Sequence, residues 1–344
     1  MRALNFEIAR LAIADNGETV DISGIMPLIG SRTNIFAGTV GNDTLVGTGG
    51  RDLIFGSDGN DLLLGSSESD WLYGGAGADS LLGDIGFDYL MGGDGDDWID
   101  GGLFDDGIRG GPGADTIFAG PGYDTLITRG DESLYDVMDG GMHTDVLVNI
   151  GPEPLVFRQF NFVTTGLETL VGGGLPILGL DNASLPDNLD FSAGSLVGVT
   201  YLDGRAGDDR IIGSHARDQI FGGDGNDTLF GLGGIDSIFG GAGADSLNGG
   251  LGSDYLDGGA GVDRLTSELD RDLLVFEGDL ASMDTVTDFA LYSDTLVFRG
   301  YGAGYSNLGF TVGTNTTVRV NSVGKQVLLE RWRRSVASTQ IRFE

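Results

Sequence analysis

The sequence predicts an all-β solenoid of stacked parallel strands, with two arrays of nine-residue repeats and β caps at its ends. Three observations predict it. Aspartate recurs every ninth residue, at Asp43, Asp52, Asp61, Asp70, Asp79, Asp88, Asp97, Asp106, Asp115 and Asp124, and again at Asp209, Asp218, Asp227, Asp236, Asp245, Asp254 and Asp263. Leu or Ile follows each of these seventeen carboxylates by two positions, from Leu45 to Leu265. Gly precedes each by five positions, with Ala119 the exception.

With aspartate counted as the sixth residue of a unit, the first six residues read as a turn. Glycine at the first, often the second, and the fourth position permits positive φ there. The last three residues, such as Thr44-Leu45-Val46, make one short strand. Its middle side chain points to one face and its neighbours to the other. Two units form an eighteen-residue coil of turn, strand, turn and strand. Stacked coils gather the Leu and Ile side chains into one narrow core and place like turns about 4.8 Å apart. The aspartates then form columns, and carboxylates that close repel one another unless a cation lies between them.

The elements follow in order. Residues 1–37 read as an N-terminal β cap, where Leu4, Phe6 and Ile8 alternate and Asn34 stands in the aspartate phase. Residues 38–148 form the first array, which includes a unit lengthened by three residues at 128–139 and a degenerate unit at 140–148 with Asp145 and Leu147 in place. Residues 149–203 hold four of the seven prolines and read as an irregular β spacer of solenoid coils of other lengths. Residues 204–272 form the second array, in which Asp272 and Leu274 keep the phase. Residues 273–344 read as a C-terminal β cap with strands at 274–276, 295–298, 317–320 and 326–329. No segment reads as an amphipathic helix.

Composition narrows the partners. The net charge of −33 repels nucleic acid and anionic lipid and calls for cations. Without cysteine there are no disulfides or thiolate metal sites, and with only His143 and His215, both in turns, a zinc centre or histidine relay is not expected. No apolar run reaches the ~20 residues of a membrane-spanning helix. Asn5, Glu7 and Arg10 interrupt any apolar core of a cleaved leader. No G-x-S-x-G, H-E-x-x-H or Walker loop occurs, and the expectation is a protein without catalytic activity.

The donors are carboxylates and backbone carbonyls, which suit calcium, whereas magnesium keeps its waters. The candidate ligands are the seventeen phased aspartates. Asp58, Asp94 and Asp224 at the third position add to them, as do Asp96 and Asp208 at the fifth. Glu68, Phe104 and Ala216 replace the fourth glycine, where a side chain makes a left-handed turn costly, so these loops are expected to be weak. One ion between like loops of successive coils gives up to about thirteen Ca²⁺ ions, carrying about +26 against the deficit. Trp71, Tyr89, Trp98 and Tyr255 occupy outward seventh positions, where stacking between coils is the expected role.

The fullest units are GGAGAD at 74–79, GGDGDD at 92–97, GGPGAD at 110–115, GGDGND at 222–227, GGAGAD at 240–245, GGLGSD at 249–254 and GGAGVD at 258–263. In these the chain resembles the RTX family of secreted proteins with hemolysin-type calcium-binding repeats. That resemblance implies a right-handed parallel β-roll or β-helix, folding on calcium after export, and a type I secretion apparatus as partner, reading an uncleaved C-terminal signal. The run at 272–298 looks like the C-terminal flank common in the family, although Arg331-Trp332-Arg333-Arg334 is more basic than such a signal. The expected role is structural or adhesive, as an S-layer, matrix or filament component at the cell surface, with self-assembly or cell-surface polysaccharide as contacts. The alternatives are a signalling or membrane-active protein of the rhizobial nodulation type, or an accessory module of an extracellular polysaccharide- or lipid-acting enzyme with 149–203 as the place for a site.

Overall fold

The computed structural model describes residues 33–130, 132, 135–276, 284–288 and 294–297, and the backbone of 11–12, 19–20, 283, 298, 308–312, 316–320, 326–329 and 341–343. The alternation at Leu4, Phe6 and Ile8 and the basic run at 331–334 lie outside the described residues. The chain divides into two compact units, Met1–Glu153 with Val163–Val171, and Pro154–Phe162 with Gly172–Glu344.

In the first unit successive strands alternate between two parallel sheets. One sheet takes Asn34–Ala37, Asp52–Asp58, Trp71–Ala76, Tyr89–Asp94, Gly107–Arg109, Thr125–Thr128 and Val146–Asn149, in that order. The other takes Thr44–Val46, Leu62–Ser67, Ser80–Ile85, Trp98–Asp100, Thr116–Phe118 and Val137–Asp139. The register follows the eighteen-residue coil: Leu63 pairs with Leu81, Leu81 with Ile99, Ile54 with Leu72 and Leu72 with Leu90. After Asp124 the coils lengthen, and Ile117 pairs with Met138, Leu126 with Leu147 and Leu147 with Leu170.

The second unit repeats the arrangement. Leu202, Ile220, Ile238, Leu256, Leu274 and Leu296 stack in one sheet, and Leu189, Ile211, Leu229, Leu247, Leu265 and Val286 in the other. The strands Leu308–Val312, Thr316–Val320 and Gln326–Leu329 then turn antiparallel.

Period explains the core. The eighth-position side chains from Ile54 to Leu126 and from Ile211 to Leu265 are 0–3 % exposed. Burial of so many Leu and Ile side chains, each contributing about 1.5–3 kcal/mol, is the main apolar stabilisation. Where the nonapeptide lapses, in 154–203, rings fill the space. Phe160 lies 5.2 Å from Phe191 and 4.9 Å from Phe157, and Phe162 packs edge-on to Phe160.

Outward aromatic side chains stack between coils. Phe221 lies 4.9 Å from Phe239 in near-parallel planes, with Tyr201 and Tyr255 flanking them, and Trp98 lies 6.1 Å from Phe118. The sole α-helix among the described residues is the single turn Phe162–Thr165. Among the described residues no helix is long and apolar enough to cross a membrane.

Candidate metal centre

Each turn ends on an aspartate whose two carboxylate oxygens face different neighbours. Oδ1 accepts the backbone N–H of the aspartate one coil earlier: Asp43 N–H reaches Asp61 Oδ1 at 2.7 Å, Asp61 reaches Asp79 at 2.7 Å, and Asp79 reaches Asp97 at 2.8 Å. In the first unit this bond links one column through Asp52, Asp70, Asp88, Asp106, Asp124 and Asp145, ending on Glu168. The other column runs from Asp43 through Asp61, Asp79, Asp97 and Asp115 to Asp136. The second unit has Asp187, Asp209, Asp227, Asp245, Asp263 and Asp284 in one column, and Asp218, Asp236, Asp254, Asp272 and Asp294 in the other. All seventeen phased aspartates stand in these columns.

Asp136, Glu168, Asp187, Asp284 and Asp294 belong to the ladder although nine-residue counting does not reach them, because insertions precede them. The signal that finds them is local: each stands two residues before an aliphatic or methionine side chain, at Met138, Leu170, Leu189, Val286 and Leu296.

The second oxygen is the chemically unusual one. Oδ2 is buried without a hydrogen-bond partner in Asp61, Asp70, Asp79, Asp88, Asp97, Asp106, Asp115, Asp124, Asp209, Asp227, Asp236, Asp245 and Asp254. Except in the unit of Asp124, which begins with Ala119, it sits under the first glycine of its own unit. A Cβ on Gly240 would stand 2.5 Å from Asp245 Oδ2 and 2.5 Å from the carbonyl oxygen of Gly258, one coil on. This corrects the role expected of the first glycine. Gly56, Gly74, Gly92, Gly222 and Gly240 do not have positive φ; they are glycine because oxygens occupy the space of a side chain. The left-handed positions are the second and fourth, as at Gly75 (φ 121°) and Gly77 (φ 137°).

Burial of a carboxylate without a counter-charge is costly. Desolvation pushes Asp70, Asp97 and Asp106 up to about 8, and Asp79 and Asp115 up to about 6. The ladder N–H pulls each of them down in part, and neighbouring carboxylates raise them further. The same holds in the second unit, where Asp236 and Asp245 rise to about 7. Such oxygens demand either a proton or a cation.

The donor set fits calcium. The orphaned Oδ2 and the Gly carbonyl one coil on are hard oxygen donors beside the same glycine. Among the described residues no three acidic or histidine side chains gather around one point. A bound ion would be held by carboxylates together with carbonyls, a mixture Ca²⁺ accepts in flexible coordination of 6–8 oxygens. When bound, it supplies the positive charge that the buried oxygens lack.

The remaining candidates take other places. Asp94 and Asp224 are exposed at the third position of their turns, and their backbone carbonyls accept the N–H groups of Gly77 and Gly207; Asp58 is half-buried at the equivalent position. At the fifth position Asp96 and Asp208 accept the N–H groups of Ala114 and Asn226 one coil on, as Asn60 does for Ala78, so they stitch the turns together. Glu68 and Phe104 are left-handed, at φ 72° and 81°. Ala216 is not, which corrects the expectation of strain there; its N–H bonds to Ser214 Oγ at 3.1 Å in a turn of another kind.

That other kind of turn opens each column. Thr39 N–H donates to Asp43 Oδ2 at 2.6 Å, and Ser214 N–H donates to Asp218 Oδ2 at 2.7 Å, with the threonine and serine hydroxyls joining in. Thr48 does the same for Asp52, and Leu180 N–H serves Asp187 Oδ2 at 2.6 Å. Asn34, in the aspartate phase, donates its side-chain amide to Asp52 Oδ1 at 2.6 Å. His143 is exposed, its Nδ1 2.7 Å from the Met142 carbonyl oxygen and its ring 5.4 Å from that of Tyr123.

The family model of the RTX calcium-binding nonapeptide repeat matches residues 30–63, 37–72, 55–90, 91–126, 198–229 and 230–265. Among solved structures, the chain is similar to the AlgE6R3 subunit of the Azotobacter vinelandii mannuronan C5-epimerase, at 29% identity over 38% of this chain and 76% of that one, with a TM-score of 0.26. It is also similar to the extracellular lipase LipA of Serratia marcescens, at 16% identity over 91% of this chain and 40% of that one, with a TM-score of 0.23. The chain thus spans about two fifths of the lipase's length. No curated protein matches.

Proposed function

We propose a function from one premise: the chain is a protein of the RTX calcium-binding nonapeptide-repeat family. It is a secreted protein that stays expanded at the low calcium level of the cytosol, folds on binding calcium outside the cell, and then serves as a structural or adhesive component of the cell surface or extracellular matrix.

The observation that carries this reading is the column of buried Oδ2 atoms. Without a cation, folding buries them uncompensated; with one, ion binding and folding become a single equilibrium. Extracellular calcium modules bind at about 10⁻⁴–10⁻³ M, which separates the two sides of the membrane. Export by a type I apparatus suits a chain that is expanded before it leaves. The acids are committed to the ladder and the turns, which favours a scaffold over a catalyst. Coils that present the same edges along a solenoid also favour assembly with copies or surface polysaccharide.

A calcium titration followed together by circular dichroism and particle size tests the proposal. The expected result is β structure appearing at millimolar calcium, followed by growth in size. A chain that folds fully in chelator overturns the folding claim, and a strict monomer with and without calcium overturns the scaffold claim.

A further inference from the structure

The ladder of the first unit continues beyond the nonapeptides matched by the family model, and its last rung has a different chemistry. Asp145 is 0 % exposed. Its Oδ1 accepts the Asp124 N–H at 2.7 Å, while its Oδ2 is buried without a partner. A Cβ on Gly140 would stand 2.9 Å from that Oδ2 and 2.7 Å from the carbonyl oxygen of Gly166. The Asp145 N–H, in turn, reaches Glu168 Oε2 at 2.7 Å. Here a glutamate takes the place an aspartate holds in every coil before it.

We propose that Asp145, the Gly166 carbonyl and the Glu168 carboxylate form a further divalent-cation site, which fastens the segment Val163–Val171 onto the end of the first array. The proposal rests on the calcium reading of the columns and extends it to residues outside the repeat. The geometry repeats that of the array sites: an orphaned Oδ2, a Gly carbonyl one coil on, and a carboxylate receiving the ladder N–H. Three features differ. The following coil is 23 residues away by the Asp145–Glu168 bond, against 21 for the Asp124–Asp145 bond before it and 18 within the array. The single helical turn Phe162–Thr165 precedes the carbonyl donor, which lies on Gly166, itself left-handed at φ 63°. As in the array, where the Gly47 N–H reaches the Leu64 carbonyl and the Gly101 N–H that of Phe118, the Thr165 carbonyl accepts the Gly140 N–H at 2.6 Å, so the segment is already aligned with the turn when an ion arrives. A hard ion tolerant of irregular coordination, such as Ca²⁺, suits a glutamate rung better than Mg²⁺, which demands near-ideal octahedral geometry.

The site is tested in the full chain by counting bound calcium with native mass spectrometry, and by hydrogen exchange of residues 163–171 with and without calcium. Glu168→Gln is the primary variant, because its amide oxygen still accepts the Asp145 N–H while the charge is removed. Asp145→Asn is the second, and Asp97→Asn is the array control. The expected result is one ion fewer per chain in Glu168→Gln and in Asp145→Asn, with calcium-induced protection of 163–171 lost while protection of the first array persists. Wild-type ion counts and wild-type protection of 163–171 in Glu168→Gln, alongside loss of an ion in Asp97→Asn, would overturn this site and leave the calcium reading intact. Absence of calcium binding by the unaltered chain would instead overturn the reading on which the site rests.

Discussion

Three of the turns that open the columns and the turns stacked on them follow one pattern of residues, yet differ in what meets a single oxygen. At Asp43, Asp52 and Asp218, the second residue of the turn, Thr39, Thr48 or Ser214, gives its N–H and hydroxyl to Oδ2. In the stacked turns the second residue is left-handed, as at Ser57 (φ 91°), Ser66 (φ 86°) and Arg205 (φ 69°), and Oδ2 of Asp61, Asp70 and Asp209 is left buried and unpartnered. A local pair of donors thus does in the opening turn what a cation does in the turns above it. The backbone of one residue decides between them.

Calcium removal gives the largest expected contrast between the two kinds of turn. With chelator near pH 8, far-ultraviolet circular dichroism is expected to lose most of its β signal, because the stacked turns lose their counter-charge while the few opening turns cannot hold a solenoid alone. Retention of the full signal would falsify the distinction.

Proton substitution should give a smaller effect in the same sense. The stacked carboxylates have folded-state values above the ordinary 3.8, with Asp97 near 8 and Asp79 near 6. The metal-free fold therefore holds protons that the unfolded chain releases. Its stability falls as pH rises from about 4 through about 8. In chelator, the folded fraction is expected to grow as pH is lowered from 8 to 5, and half-saturating calcium is expected to rise over the same change. Denaturation melts across that window provide the check; stability that increases with pH in chelator would contradict it.

Next in size is Gly240→Ala, which sets a methyl group against Asp245 Oδ2 and the Gly258 carbonyl. Loss of one bound ion and a stability loss of about 1–3 kcal/mol in saturating calcium are expected, the cost of a disrupted buried polar group. Ser214→Ala should remove only the hydroxyl from an opening turn, costing about 0.5–1.5 kcal/mol with no change in ion count. Gly49→Ala, in the opening turn of Asp52, meets nothing within 4 Å and should shift stability by less than about 0.5 kcal/mol. If Ser214→Ala lowers the ion count, the opening turns are metal sites after all.

The period made the columns, the eighteen-residue register and the Leu/Ile core legible, because a nine-residue phase has one arrangement that buries every eighth-position side chain. It failed where coils lengthen. Three residues inserted before Asp136 and seven residues, instead of four, between Gly179 and Asp187 break the count, while the carboxylate-x-aliphatic triplet survives both. Glu168 was hidden by its residue type. The opening turns were hidden for a different reason: Ser57, Ser66 and Ser214 are the same residue at the same position, and only the φ value, set by whether another coil lies beneath, tells a capping serine from one that cannot cap. At the first glycine the sequence shows that a side chain is excluded, not whether dihedral strain or a neighbouring oxygen excludes it.

The one-coil reach of the Asp N–H to the next Oδ1 makes each column a chain of nearest-neighbour couplings, in which no coil is complete until its successor is laid down. Such a system behaves as a one-dimensional lattice. A defect in mid-column, at Asp97 for example, does not weaken every coil by a little; it creates a boundary, and the stack parts into two shorter runs that melt separately. Ions then arrive in blocks, and the sharpness of the calcium response is set by the length of uninterrupted ladder rather than by the affinity of any one turn.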